Sequence, residues 1–100
     1  MEVRFATQEL KNCYEDLAAA RRAWGQKIAN RYVQRVNALY AARAAADLFA
    51  LKSFRLHPLK GERKGQHGLN LDVEWRMVVR FEGARWTVVR VEEVSRHYGD

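Results

Sequence analysis

The sequence predicts an α+β fold: two N-terminal helices packed on a small, mainly antiparallel β-sheet. Apolar residues in the first half recur at helical spacing, and those after residue 66 alternate. Between the two textures lie the only proline, Pro58, and the glycines Gly61 and Gly65. At 100 residues and 48% hydrophobic content, the chain suffices for one core. Residues 1–100 are therefore expected to form a single domain.

Val3 and Phe5 alternate with Glu2, Arg4 and Ala6, the mark of a short strand. Thr7 can cap a helix whose first turn holds Glu9, where the dipole favours an acid. Leu10, Cys13, Tyr14 and Leu17 follow at helical spacing, and Gly25 breaks the helix after Trp24. A second helix starts near Gln26, with Ile28, Tyr32, Val36, Leu39 and Tyr40 on its apolar face. Lys27, Arg31, Arg35 and Arg43 give it a basic outer face, and Ala41 to Ala46 carry it to about Asp47. Phe54 to Leu56 read as extended because they closely precede Pro58. Gly61 to Gly65 read as a turn. Leu69, Leu71 and Val73 share one face of a strand. Trp75, Met77 and Val79 alternate with Arg76, Val78 and Arg80 in the next. After a turn at Gly83 and Ala84, a last strand runs from Trp86 to Val91. Trp75 and Trp86 are expected in the core.

Arg21 to Lys64 holds eleven basic residues against two acids, a local balance of +9 where the whole chain has +6. Thirteen of the eighteen basic residues are arginine, whose planar fork grips phosphate at two points. A polyanion such as nucleic acid is one partner that fits; a solvated basic face or an acidic protein partner also accounts for the charge. No stretch free of Asp, Glu, Lys and Arg exceeds seven residues, far short of the about 20 needed to span a bilayer. Glu2 and Arg4, with no apolar run behind them, do not make a signal peptide. The one cysteine, Cys13, forms neither an intrachain disulfide nor a metal site alone, and reads as a small buried hydrophobe. A cytoplasmic protein that contacts no membrane is expected.

The run from Arg55 through His57, Pro58, Lys60 and Gly61 to Gly65 resembles the signature of the HigB toxins, or plasmid-maintenance killer proteins. So does Glu74-Trp75-Arg76 followed by Val78 to Gly83. These toxins belong to the RelE/ParE superfamily, and the resemblance is strong over about residues 53 to 83. It implies a RelE-like fold and cleavage of messenger RNA, usually in the ribosomal decoding site, without metal or other cofactor. It also implies a HigA-like antitoxin with a helix-turn-helix domain, through which alone the toxin would meet operator DNA.

Metal-free RNA cleavage requires a base for the 2′-hydroxyl, in-line geometry, neutralised charge and a proton for the leaving oxygen. His57 can act as base or acid and resembles the family's catalytic histidine; on residues alone it is equally a turn histidine on a backbone carbonyl. Lys60, three residues on, is suited to a phosphate oxygen. Alternation turns Arg76 away from Trp75, toward a transition-state charge. Arg55, Arg63, Lys64 and Arg80 are candidate RNA contacts. The tail departs from the family's acidic-Tyr-His ending; His97 and Tyr98 are the candidates to complete the site as proton donor or base stack, with Glu92 and Glu93 as available acids. Asp72 stands where some relatives carry a basic residue. Two other functions compete: a ParE-like gyrase inhibitor without catalysis, and a basic nucleic-acid-binding module.

Overall fold

The computed structural model describes residues 1–96, so His97 and Tyr98 lie outside the described residues. Strand β1 (Glu2–Phe5) leads into helices α1 (Gln8–Glu15), α2 (Leu17–Trp24), α3 (Gln26–Ala41) and α4 (Ala45–Phe49). Strands β2 (His57–Pro58), β3 (His67–Asn70), β4 (Trp75–Glu82) and β5 (Val88–Arg96) follow. They form one sheet in the order β1-β5-β4-β3-β2. Every neighbouring pair is antiparallel except β1 with β5. The helices cover one face. Ile28, Tyr32, Val36 and Leu39 of α3 meet Leu69, Met77, Val79, Val89 and Val91 there, in the core. Cys13 is buried in the same core, as expected. No helix among the described residues is long and apolar enough to cross a membrane.

Several boundaries differ from the sequence reading, each for a local reason. The first helix is two helices, because Asp16 is extended between them. Its side chain accepts from Ala18 N at 3.0 Å and opens α2, the competition with helical backbone that short acids offer. The long helix stops at Ala41, not near Asp47. Ala42 is extended (φ −70°, ψ 148°), and the backbone nitrogen of Met1 donates to the carbonyls of Leu39, Tyr40 and Ala42. Beyond it, the Asp47 carboxylate accepts from the Arg43 backbone at 2.9 Å, and α4 begins afresh.

Phe54 and Arg55 are not extended. Lys52–Phe54 is a 3-10 turn, and Arg55 has a left-handed backbone (φ 47°, ψ 43°) before the short β2. The strand expected to carry Leu69, Leu71 and Val73 ends at Asn70. Asp72 accepts from the backbones of Glu74 (2.7 Å) and Trp75 (2.8 Å), so the chain reverses and Val73 is left exposed. Trp86 is neither in a strand nor in the core. It sits in the β4–β5 turn with φ 51°, 42% exposed, its carbonyl accepting from Ala45 N.

The basic outer face of α3 is only partly solvated. Lys27 pairs with Asp72 at 3.6 Å, Arg31 donates to Leu71 O at 2.6 Å, and Arg35 donates to Asn70 O at 3.2 Å. Three residues at i, i+4 and i+8 thus hold the β3–β4 connection. Arg35 is buried, its guanidinium 4.7 Å from the centre of the Phe54 ring.

Candidate functional site

The candidate residues gather on the sheet face away from the helices. Met77 and Val79 point into the core, so alternation sends Arg76, Val78 and Arg80 to the other side. Across the sheet, His57 pairs with Gly68, Gly68 with Val78, and Val78 with Glu93. Two residues along, on the same face, Asn70 pairs with Arg76 and Arg76 with Ser95. Two strand spacings and two residues put the Cα atoms of His57 and Arg76 about 12 Å apart, with Asn70 between them.

The ring of His57 is fixed from two sides. Its Nδ1 lies 2.7 Å from Arg55 O. A carbonyl only accepts, so in the neutral ring Nδ1 carries the proton and Nε2 the lone pair. The left-handed backbone of Arg55 aims that carbonyl. On the other side the ring lies across Gly68, where an added Cβ would sit 3.0 Å from His57 Cε1 and 3.2 Å from Nε2. The imidazole is thus both a turn histidine on a carbonyl and a ring with one nitrogen left for chemistry.

Arg76 is 8% exposed. Burial, and then the charge of Arg63, lowers its pKa, with Glu93 opposing. Glu93 is held by Arg63, whose Nη2 lies 3.1 Å from both carboxylate oxygens, and by the Ser95 hydroxyl at 2.6 Å. Burial pushes this carboxyl up, but the bonds from Ser95 and Arg63 and the charges of Arg63 and Arg76 outweigh it and hold it below the ordinary value. The β4–β5 register shifts at Val78/Val79, so Glu92 is an extra residue in β5. It therefore points to the same face as Glu93 and binds Arg80 at 2.9 Å. The alternation in the sequence does not disclose that bulge.

The loop from Leu59 to Gln66 folds over this face. Leu59 packs against Gly68, and Gly65 O accepts from Arg80. Lys60 and Lys64 are exposed on it and make no ion pair among the described residues. Arg63 and Arg80, candidate RNA contacts, are already bound to acids, so a phosphate would compete with Glu93 and Glu92 for them. Asp72, which departs from the resemblance, is a turn former here and takes no part in this face.

Where β2 ends, a cleft of about 640 Å³ opens at the edge of β3, lined by Phe49, Leu51, Lys52, Arg55, Leu56, His57 and Asn70. It joins His57 to Asn70, the neighbour of Arg76; Arg76 and Lys60 themselves do not line it. Lys52 and Asn70 were missed in the sequence. Lys52 reads there as one more residue of a basic run, and Asn70 as a polar position in an alternating strand.

No protein-family model matches the chain, and no curated protein sequence matches it significantly. Solved structures do. YafQ from E. coli strain BL21(DE3) superposes with a TM-score of 0.65 at 14% identity, covering 96% of this chain and 92% of its own. The YoeB/ParE toxin from Agrobacterium tumefaciens gives 0.63 at 18% identity, covering 98% and 100%. The E. coli DinJ-YafQ toxin-antitoxin complex gives 0.59 at 15% identity, covering 96% and 91%. At these identities the likeness is one of fold, and the chain has the α+β fold of the YafQ and YoeB/ParE toxin structures.

Proposed function

We propose that this protein is the toxin of a toxin–antitoxin pair and a metal-independent endoribonuclease that cuts messenger RNA on the ribosome. The observation that carries it is the placement of His57. Its Nδ1 is tied to Arg55 O, its Nε2 is left as the base, and it shares one sheet face with Arg76. The resemblance of residues 53 to 83 to HigB toxins supports the same reading, as does a fold shared with solved toxins.

In this reading His57 Nε2 takes the proton from a 2′-hydroxyl. The 2′-oxygen attacks the adjacent phosphorus, the bond to the 5′-oxygen breaks, and a 2′,3′-cyclic phosphate forms. Arg76, buried beside Arg63 and Glu93, stabilises the charge that develops on the phosphate oxygens. Lys60 approaches from the covering loop as a second cation. His97 or Tyr98 delivers the proton to the leaving oxygen. Lys64 and Arg55 hold flanking phosphates, with Arg63 and Arg80 joining once released from their acids. The partner is a HigA-like helix-turn-helix antitoxin, and operator DNA is met only through it.

Cleavage-site mapping on messenger RNA, with and without ribosomes in magnesium buffer and with protein treated with EDTA and then dialysed, tests this. Cuts that need ribosomes and are undiminished by stripping the protein are expected; an RNA left intact under every condition would overturn it. A gyrase supercoiling assay, expected to show no inhibition, separates the ParE-like alternative. A plain binding module would bind RNA with steep salt dependence and never cut it.

A further inference from the structure

We propose that the cleft beside His57 seats the unstacked base of the nucleotide next to the cut, which rests on the RNA-cutting function above. Phe49 and Leu51 form its apolar wall, Asn70 its hydrogen-bonding floor, and Lys52 and Arg55 hold the flanking phosphates.

The wall is costly to leave bare. Phe49 is 45% exposed and Leu51 42%, and both border the same cleft. Single exposed apolar residues are ordinary; two lining one concavity beside an imidazole offer a stacking surface for a base. The cations are uncommitted. Lys52 and Arg55 make no ion pair among the described residues, whereas Arg43, Arg63 and Arg80 spend their charge on Asp47, Glu93 and Glu92.

Asn70 is fixed in the backbone and unengaged at the side chain. Its carbonyl accepts from Arg35, while its amide makes no hydrogen bond among the described residues. A planar amide that donates and accepts side by side matches the edge of a base. The volume, about 640 Å³, lies inside the range of about 300–1,000 Å³ usual for small-ligand sites. An acidic peptide would meet the same cations, but the free amide and the adjoining imidazole favour a nucleotide.

The test uses a labelled single strand of about eight nucleotides, 2′-O-methylated so that it cannot be cut, with an abasic residue at each position in turn. Binding is read by fluorescence anisotropy in EDTA. For the wild type, one position is expected to lose about tenfold in affinity when its base is removed. In Leu51→Ala/Asn70→Ala that penalty disappears while the other positions are unchanged. Should this variant fail to fold by circular dichroism, Asn70→Asp alone serves. It replaces a donor by an acceptor and is expected to change which base is preferred at that position.

Equal penalties at all positions, a penalty retained in the variants, or no RNA binding would overturn the proposal. So would displacement of the RNA by oligoglutamate at matched charge, which reassigns the cleft to an acidic peptide, or by a free nucleoside monophosphate with equal affinity. Because the probe cannot be cut, a failure of the nuclease function shows separately, as intact messenger RNA in the ribosome assay.

Discussion

The imidazole of His57 lies against the bare Cα of Gly68, so close that a Cβ there would stand 3.0 Å from Cε1. Glycine in a strand interior is ordinarily a weakness of about 0.5–1 kcal/mol, and here it makes room for the ring. Gly68→Ala is expected to shift the imidazole off Arg55 O and to lower RNA cutting at least tenfold, since small misplacements of a catalytic group are expensive. Stability should change by no more than about 1 kcal/mol, as the gain in strand propensity offsets the crowding. Cleavage rates together with the His57 ring signals in an NMR spectrum check this.

Arg76 is suited to charge stabilisation by its fork and its burial, and lysine has only the charge. Arg76→Lys is expected to cut about a hundredfold more slowly, the scale of losing one preorganised donor. Single-turnover cleavage with saturating ribosomes measures it; a rate within a factor of three of the wild type would remove Arg76 from the chemistry.

Arg35 is a structural residue in a helix that looks solvated from the sequence. Arg35→Ala removes the bond to Asn70 O and the cation over Phe54, and leaves a carbonyl without its donor. A loss of about 2 kcal/mol in urea unfolding is expected. Arg22→Ala, on the exposed surface of α2, should stay within about 0.5 kcal/mol.

His67 lies on the other side of the sheet from His57, ringed by Phe49, Phe81 and Trp86. Its Nδ1 has no hydrogen-bond partner among the described residues. Burial, and then the charge of His57, holds its pKa below the ordinary 6.5. The unfolded chain therefore takes up a proton near 6.5 that the folded protein takes up only at lower pH. Stability is highest above 6.5 and falls as the pH drops through and below it. His67→Phe keeps the ring contacts and is expected to flatten the fall in melting temperature between about pH 7.5 and 5.5.

Much of this fold was legible because β4 alternates cleanly and α3 repeats its apolar residues at three and four. What was not legible came from partners distant in sequence. The end of α3 is set by Met1, 39 residues from Tyr40, in a run of alanines that would otherwise continue the helix. The apparent strand at Leu71 to Glu74 is cut by the Asp72 side chain, and Trp86 is placed by a turn and by Ala45. At the site, His57 and Arg76 stand out in the sequence as residue types. Asn70 and Lys52 do not, since only the short reach of β2 and the turn before it bring them to the same cleft.

The most direct test compares wild type and His57→Ala in ribosome-programmed cleavage of messenger RNA in magnesium buffer, after circular dichroism has shown that the variant folds. His57 Nε2 as the base implies at least a hundredfold slower cutting by the variant, at unchanged cleavage sites. A folded His57→Ala protein that cuts at the wild-type rate would contradict it.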